Sequence, residues 1–362
     1  MKHFNLTLLA MLALFMAAVP AAYSENDGDC IYYLHSTDGE YLTMRAGKMY
    51  EGDEYIAGDN RHFRIVQVDD ASCAAYAEPV DDGAVFSGIS FSEAALAEET
   101  KKSGGFDSEK RLICMYSTHS DESYVPNDGD SSLWEDAGIY DVGNALKTSL
   151  EKKGIKVVYS EETFLPHDTG AYSRSASTAK NLLEKSPDAL FDVHRDAVPA
   201  EEYETEVDGE EMSKVRLFVG RSNSNSQANM AFAREIKARA DEMYPGLIKD
   251  IYIGKGNYNQ EFYPQALLLE LGTHEIDKEL VINSTDYLAD VIDSVLYGEA
   301  ASAEAADAEN AGASKGIIWA IVIAILAAVI YALASTGRLD GMWNRIKRSI
   351  SEITGGSIGG RK

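Results

Sequence analysis

The chain has 362 residues, of which 45% are hydrophobic and 25% charged, enough for two domains of ordinary globular composition, so wholesale disorder is not expected. With 33 Lys and Arg against 59 Asp and Glu it carries a formal net charge of −26. Such a chain repels phosphate polymers, and no nucleic-acid partner is expected. Three cysteines, Cys30, Cys73 and Cys114, form neither a dense disulfide scaffold nor a CxxC pair, so any metal must be held by histidine and carboxylate.

Residues 1–24 read as a signal peptide. Lys2 gives the positive start, residues 8–19 are apolar, and Ala22 and Ser24 place small side chains where a signal peptidase needs them. An uncleaved anchor is the other reading, and in both cases the chain beyond residue 24 is exported. Residues 25–77 alternate short apolar runs with turns, at 31–34, 41–44, 55–56 and 63–68, which predicts a small β domain. Cys30 and Cys73 bracket it, and whether their sulfurs meet in a bridge is left open by the sequence. Residues 78–109 turn to Ala, Glu, Ser and Gly, the composition of a linker.

From residue 110 to 298 strands alternate with helices. Strands are expected at 112–116, 155–159, 189–193, 215–220 and 266–271. Helices are expected up to Gly154, over 176–185, from a capping box at Ser224 and Gln227 to Pro245, and over 285–296. The pattern predicts an α/β domain with a largely parallel sheet flanked by helices. Residues 299–315 are rich in alanine and acid and suit a stalk. A transmembrane helix is predicted over 316–335, because residues 317–334 carry no charge and would span about 27 Å as a helix. Beyond it, over 336–362, Arg338, Arg345, Lys347, Arg348, Arg361 and Lys362 outnumber Asp340 and Glu352, a basic tail that belongs in the cytoplasm. A single-pass membrane protein with its folded part outside the cytoplasm is expected.

In open α/β sheets chemistry gathers beyond the carboxyl ends of strands. Three strands deliver metal-site residue types there. The first runs into His119, Asp121 and Glu122, the second into His194, Arg195 and Asp196, and the third into Glu270 with His274 beyond it. Two imidazoles, a carboxylate and an open position make a catalytic zinc arrangement, and a further glutamate can act as base. His119, Glu122 and His194 fit the ligand roles and Glu270 the base. His167 and His274 are alternative ligands, and spacing alone does not separate any of these from hydrogen-bonded structural residues. Arg195 could grip a substrate carboxylate and Asp196 orient His194, or the two could form a local ion pair. Cys114 falls inside a buried strand, and no Gly-x-Ser-x-Gly, P-loop or dinucleotide fingerprint appears, so nucleophilic and nucleotide chemistry are unsupported.

These runs, in order, resemble stage II sporulation protein P: Tyr116-Ser117-Thr118-His119-Ser120-Asp121-Glu122-Ser123-Tyr124, His167-Asp168 with Ala171-Tyr172-Ser173-Arg174-Ser175, Asp192-Val193-His194-Arg195-Asp196-Ala197, Tyr258-Asn259-Gln260 and Leu268-Leu269-Glu270-Leu271-Gly272. The resemblance implies an amidase-type fold and a zinc-dependent peptidoglycan hydrolase, an N-acetylmuramoyl-L-alanine amidase with a peptide-cleaving activity also attributed to the family. It further implies action in engulfment of the forespore with stage II sporulation proteins D and M as partners. Carried over, the zinc histidines fall on His119 and His194 and the catalytic glutamate on Glu270, with Glu122 the choice for the carboxylate ligand. Arg195, Asp196 and His167 are assigned to substrate binding or to support of the ligands. The family usually has His-Thr-His where this chain has Ser117-Thr118-His119, and loss of a ligand at 117 would leave a non-catalytic wall-binding scaffold instead.

Overall fold

A computed structural model describes residues 30–80 and 111–298. The expected signal peptide, stalk, transmembrane helix and basic tail, and nearly all of the expected linker, lie outside the described residues. Among the described residues no helix is long and apolar enough to cross a membrane.

The α/β part is built on strands β6 (Leu112–Tyr116), β7 (Lys156–Tyr159), β8 (Ala189–Asp196), β11 (Val215–Gly220), β12 (Ile248–Gly254) and β13 (Ala266–Thr273). Their order across the sheet is β12-β11-β13-β8-β6-β7. β7, β6, β8 and β13 run parallel to one another, while β11 and β12 run parallel to each other but antiparallel to β13. The sheet is therefore mixed, with a reversal at β11–β13 that the strand-helix alternation does not announce.

The central strands β6, β8, β11 and β13 are buried along their whole length, as strands covered on both faces are. Side chains alternate between two layers. Ile113, Met115, Phe191, Val193, Leu267 and Leu269 face helices α1 (Gly138–Lys152), α3 (Ser226–Met243) and α4 (278–298). Leu112, Cys114, Tyr116 and Leu190 face helix α2 (Ala171–Leu183). Ile139, Val142, Leu146 and Leu150 recur at helical spacing along α1 and are all buried, which fixes the face it turns to the sheet.

The N-terminal segment forms β1 (Ile31–Ser36), β2 (Tyr41–Ala46), β3 (Glu54–Ile56), β4 (His62–Asp69) and β5 (Ala74–Pro79). It differs from a free-standing small β domain in one respect. β3 pairs antiparallel with β12 through Tyr55–Tyr252 and its neighbours, so the two parts share one 11-stranded sheet. Tyr32, Leu34, Tyr55 and Phe63 pack with Phe218, Tyr252 and Leu268, covering the face of the main sheet that α2 leaves open.

Cys30 and Cys73 are joined, closing a loop with a sequence separation of 43. Cross-linking a loop of that length restricts the unfolded chain, and its removal in Cys30→Ser/Cys73→Ser should cost about 2–4 kcal/mol, read as an earlier denaturation midpoint without reductant. An unchanged midpoint would show that the bridge does not contribute.

Elements absent from the sequence reading have physical causes. β12 contains Lys249 and Asp250, which break its apolar run, and Asp250 is buried because Arg216 pairs with it. Half of the residues of the hairpin β9 (Glu204–Val207) and β10 (Glu210–Ser213) are acidic. Its turn residues Asp208 and Gly209 both adopt positive φ, the Asp-Gly signal of a two-residue hairpin. The expected capping box is not formed. Helix α3 starts at Ser226 after Asn225, which makes no side-chain cap and instead donates to the carbonyl oxygens of Gln260 and Glu261.

Candidate metal centre

His194 lies near the end of β8, and Glu270 on β13 is its register partner across a parallel pair. Residues on neighbouring strands in register share a face of the sheet. The loop after β6 brings His119 and Glu122 to the same place. Asp192, two residues before His194 on one strand face, fastens that loop by accepting from the Thr118 amide at 2.8 Å and the Thr118 hydroxyl at 2.6 Å.

The structure unites His119, Glu122 and His194, each with a ligand atom within 4.8 Å of the others and all three buried. Glu122 Oε1 sits 3.2 Å from His119 Nδ1 and 3.3 Å from His194 Nδ1. Its other oxygen, Oε2, accepts from the Arg195 amide at 2.9 Å. That bond turns Oε1 toward both imidazoles. On the far side of the His194 ring, Nε2 lies 3.0 Å from Asp192 Oδ1. Burial opposes charge on His194, but the carboxylates of Asp192 and Glu122 overcome it and push its pKa well above the usual histidine range.

His167 does not join the group of ligand atoms. Its ring stacks on His119 with centroids 4.0 Å apart, and its Nδ1 lies 3.0 Å from Asp121 Oδ1. Burial would raise the Asp121 carboxyl, but the bond and charge of His167 hold it down at about 2. His274 is also outside the group. Burial and the nearby Arg195 charge lower its pKa to about 4.

Arg195 sits where a support of the ligands would, while Asp196 takes another place than the one expected of it. The Arg195 side chain is buried and donates from Nε to the Ser123 carbonyl and from Nη2 to the Ser131 carbonyl, so its guanidinium holds the ligand loop and is not presented to a substrate. Asp196 accepts from Arg216 at 2.8 Å and Tyr203 at 3.0 Å, and the carboxylate facing His194 is Asp192 instead. Ser117 bonds the Tyr159 hydroxyl at 2.8 Å, and the three donors converge without it.

Asp192 and Tyr172 stand in the runs that carry the resemblance, yet sequence reasoning gave neither a role. The signal for Asp192 was its period-two spacing to His194 within a strand. Tyr172, on the first turn of α2, packs its ring edge-on to His119 at 5.4 Å and stacks toward His194 at 6.3 Å. Nothing in its spacing marked it.

The sequence matches the family model of stage II sporulation protein P over residues 59–293. Stage II sporulation protein P of Bacillus subtilis (strain 168) is 26% identical over 221 residues, covering 56% of this chain and 55% of that protein. The chain thus spans about half the length of the curated relative it matches. Among solved structures, N-acetylmuramoyl-L-alanine amidase from Clostridium difficile 630 is 16% identical and aligns with 54% of this chain and 99% of its own, at a TM-score of 0.35. The CwlD amidase from Clostridioides difficile, in complex with the GerS lipoprotein, is 11% identical over 52% of this chain and 98% of its own, also at 0.35. Superposition at such scores is too loose to bear on the chemistry. The family match, in contrast, runs through more than half of the chain and takes in His119, Glu122, His194 and Glu270, and so the chain belongs to the stage II sporulation protein P family.

Proposed function

We propose that this chain is a zinc-dependent peptidoglycan hydrolase of amidase type that cuts the amide between N-acetylmuramic acid and L-alanine during sporulation. In the same proposal it is exported, held at the membrane by the span over 316–335, and works with stage II sporulation proteins D and M. The observation that carries the reading is the convergence of His119 Nδ1, His194 Nδ1 and Glu122 Oε1.

The donor set fits zinc. Two imidazole nitrogens and one carboxylate oxygen are the ligand types of catalytic zinc sites. The Asp192 carboxylate 3.0 Å from His194 Nε2 favours, by its charge, the tautomer with the proton on Nε2, which leaves the Nδ1 lone pair toward Glu122. Zinc bound there supplies a Lewis acid that polarises the scissile carbonyl and acidifies water.

The protein supplies the rest. Asp192 and the Arg195 amide fix the orientation of ligands that would otherwise lose rotamer freedom on binding. Burial of all three, with the His167 and Tyr172 rings against His119 and the Tyr172 ring also against His194, excludes bulk water and strengthens the local field. Glu270, beside His194 in register, takes the proton from the attacking water and delivers it to the leaving nitrogen.

The purified chain should hold close to one zinc, and His119→Ala and His194→Ala should each lose it, because two protein ligands are too few to keep the ion. Full zinc occupancy in both variants would sink the assignment. Digestion of purified wall should release peptides with a free L-alanine amino terminus, identified by mass. New ends within the peptide would show an endopeptidase on the same site, and no new ends a wall-binding scaffold.

A further inference from the structure

Beside the candidate metal centre lies a cleft of about 510 Å³ that residues of the N-terminal segment and of the α/β part line together. Its volume falls within the range of small-ligand sites. Tyr172 lines it while its ring also packs on His119 and His194, so one side chain connects the cleft to the candidate metal ligands.

The lining has the opposite charge character to the chain. Against a net charge of −26 overall, the cleft gathers Arg45, Lys48 and Lys255, with Glu261 the carboxylate among its lining residues. Arg45 is held by the Phe218 and Tyr252 rings, with its Cζ 5.1 and 4.9 Å from their centroids, and Lys48 pairs with Asp70 at 2.6 Å. Two ammonium groups meet at one ring. Lys48 Nζ lies 5.6 Å and Lys255 Nζ 4.5 Å from the Tyr50 centroid. Lys255 is exposed. Asp70 already matches Lys48, so the charge left to meet an incoming anion is that of Lys255, and tyrosine faces beside it offer apolar contact to the rest of such a ligand.

We propose that this cleft is a binding subsite for an acidic peptide, the carboxylate-bearing stem of the wall polymer, with Lys255 meeting a carboxylate and Tyr50 and Tyr258 bordering the peptide. The N-terminal segment is then half of the substrate site, contributing Arg45, Lys48 and Tyr50. The subsite rests on the peptidoglycan reading above, and its test separates the two.

Calorimetric titration of the full-length chain in detergent with a free stem tetrapeptide should show binding that weakens as salt rises. The same peptide with its carboxyl groups converted to carboxamides should bind about tenfold more weakly or worse, as should the acidic peptide to Lys255→Glu, since a charge-assisted hydrogen bond is lost. Lys255→Arg keeps the charge and should bind as the parent does. On wall fragments Lys255→Glu should raise KM with kcat kept, because Lys255 touches the peptide away from the reacting atoms. Equal binding of the acidic and amidated peptides, an unaltered affinity in Lys255→Glu, or binding of a neutral oligosaccharide in place of the peptide would overturn the proposal. Lys255-dependent peptide binding by a chain that releases nothing from wall would sustain the subsite while sinking the hydrolase reading.

Discussion

Glu270→Gln should keep its zinc and lose about 10²- to 10⁴-fold in amide turnover, the usual worth of a general base. Glutamine preserves the shape at a buried position on β13, in register with His194, and removes only the basic oxygen. The paired variant is Glu122→Gln. There one oxygen faces both imidazoles and the other accepts from the Arg195 amide, so an amide group presents the wrong polarity to one of them and the metal itself should be weakened. Zinc content and peptide release from purified wall, measured on both proteins together, decide the matter. Near-normal turnover in Glu270→Gln removes it as the base. Loss of zinc from Glu270→Gln but not from Glu122→Gln would exchange the two roles.

The largest loss of stability is expected from Arg216→Met. Arg216 is buried between Asp250 on β12 at 2.7 Å and Asp196 at the end of β8 at 2.8 Å, and it also donates to the Thr43 hydroxyl at 2.8 Å and the Met44 carbonyl at 3.0 Å on β2. Methionine leaves two carboxylates buried without their cation, a change worth about 3–5 kcal/mol, or on the order of 10 °C in Tm for a unit of this size. The effect should depend on pH. Burial opposes charge on Asp250, yet Arg216 keeps its carboxyl below the usual range. A depressed folded pKa gives stability that is present above the unfolded value of about 3.9 and is lost as pH falls through the folded one. Thermal melts of parent and variant should therefore differ most near neutral pH and draw together in strong acid. Coincident melts at pH 7 would show that the network does not hold the fold.

Much of the site was legible because chemistry and strand pattern coincided. The apolar runs at 112–116 and 266–269 are buried on both faces, so each reads as a strand and each points its terminal polar residues at the sheet edge. What escaped was whatever depends on pairing between distant segments. Asp250 reads as a strand breaker until Arg216 lies opposite it, and Asp196 reads as a partner of its neighbour His194 until Arg216 and Tyr203 claim it. Arg195 looks exposed next to a candidate ligand, yet the carbonyl oxygens of Ser123 and Ser131 take its guanidinium. The reversal of β11 and β12 is a matter of connection and leaves no local trace.

The pairing of β3 with β12 bears on how the protein can be divided. A fragment beginning near residue 111 would carry every candidate ligand and the candidate base, and by sequence it looks like a self-sufficient catalytic unit. It would also leave the main-chain amide and carbonyl groups of β12 without the strand that hydrogen-bonds them, and uncover the rings of Phe218 and Tyr252 beside that row. An open, apolar sheet edge invites another copy to pair with it. In synthesis the same pairing joins residues 54–56, made early, to residues 251–253, made almost two hundred residues later. The first-made segment therefore waits for its partner, and the sheet cannot close until most of the described chain is present.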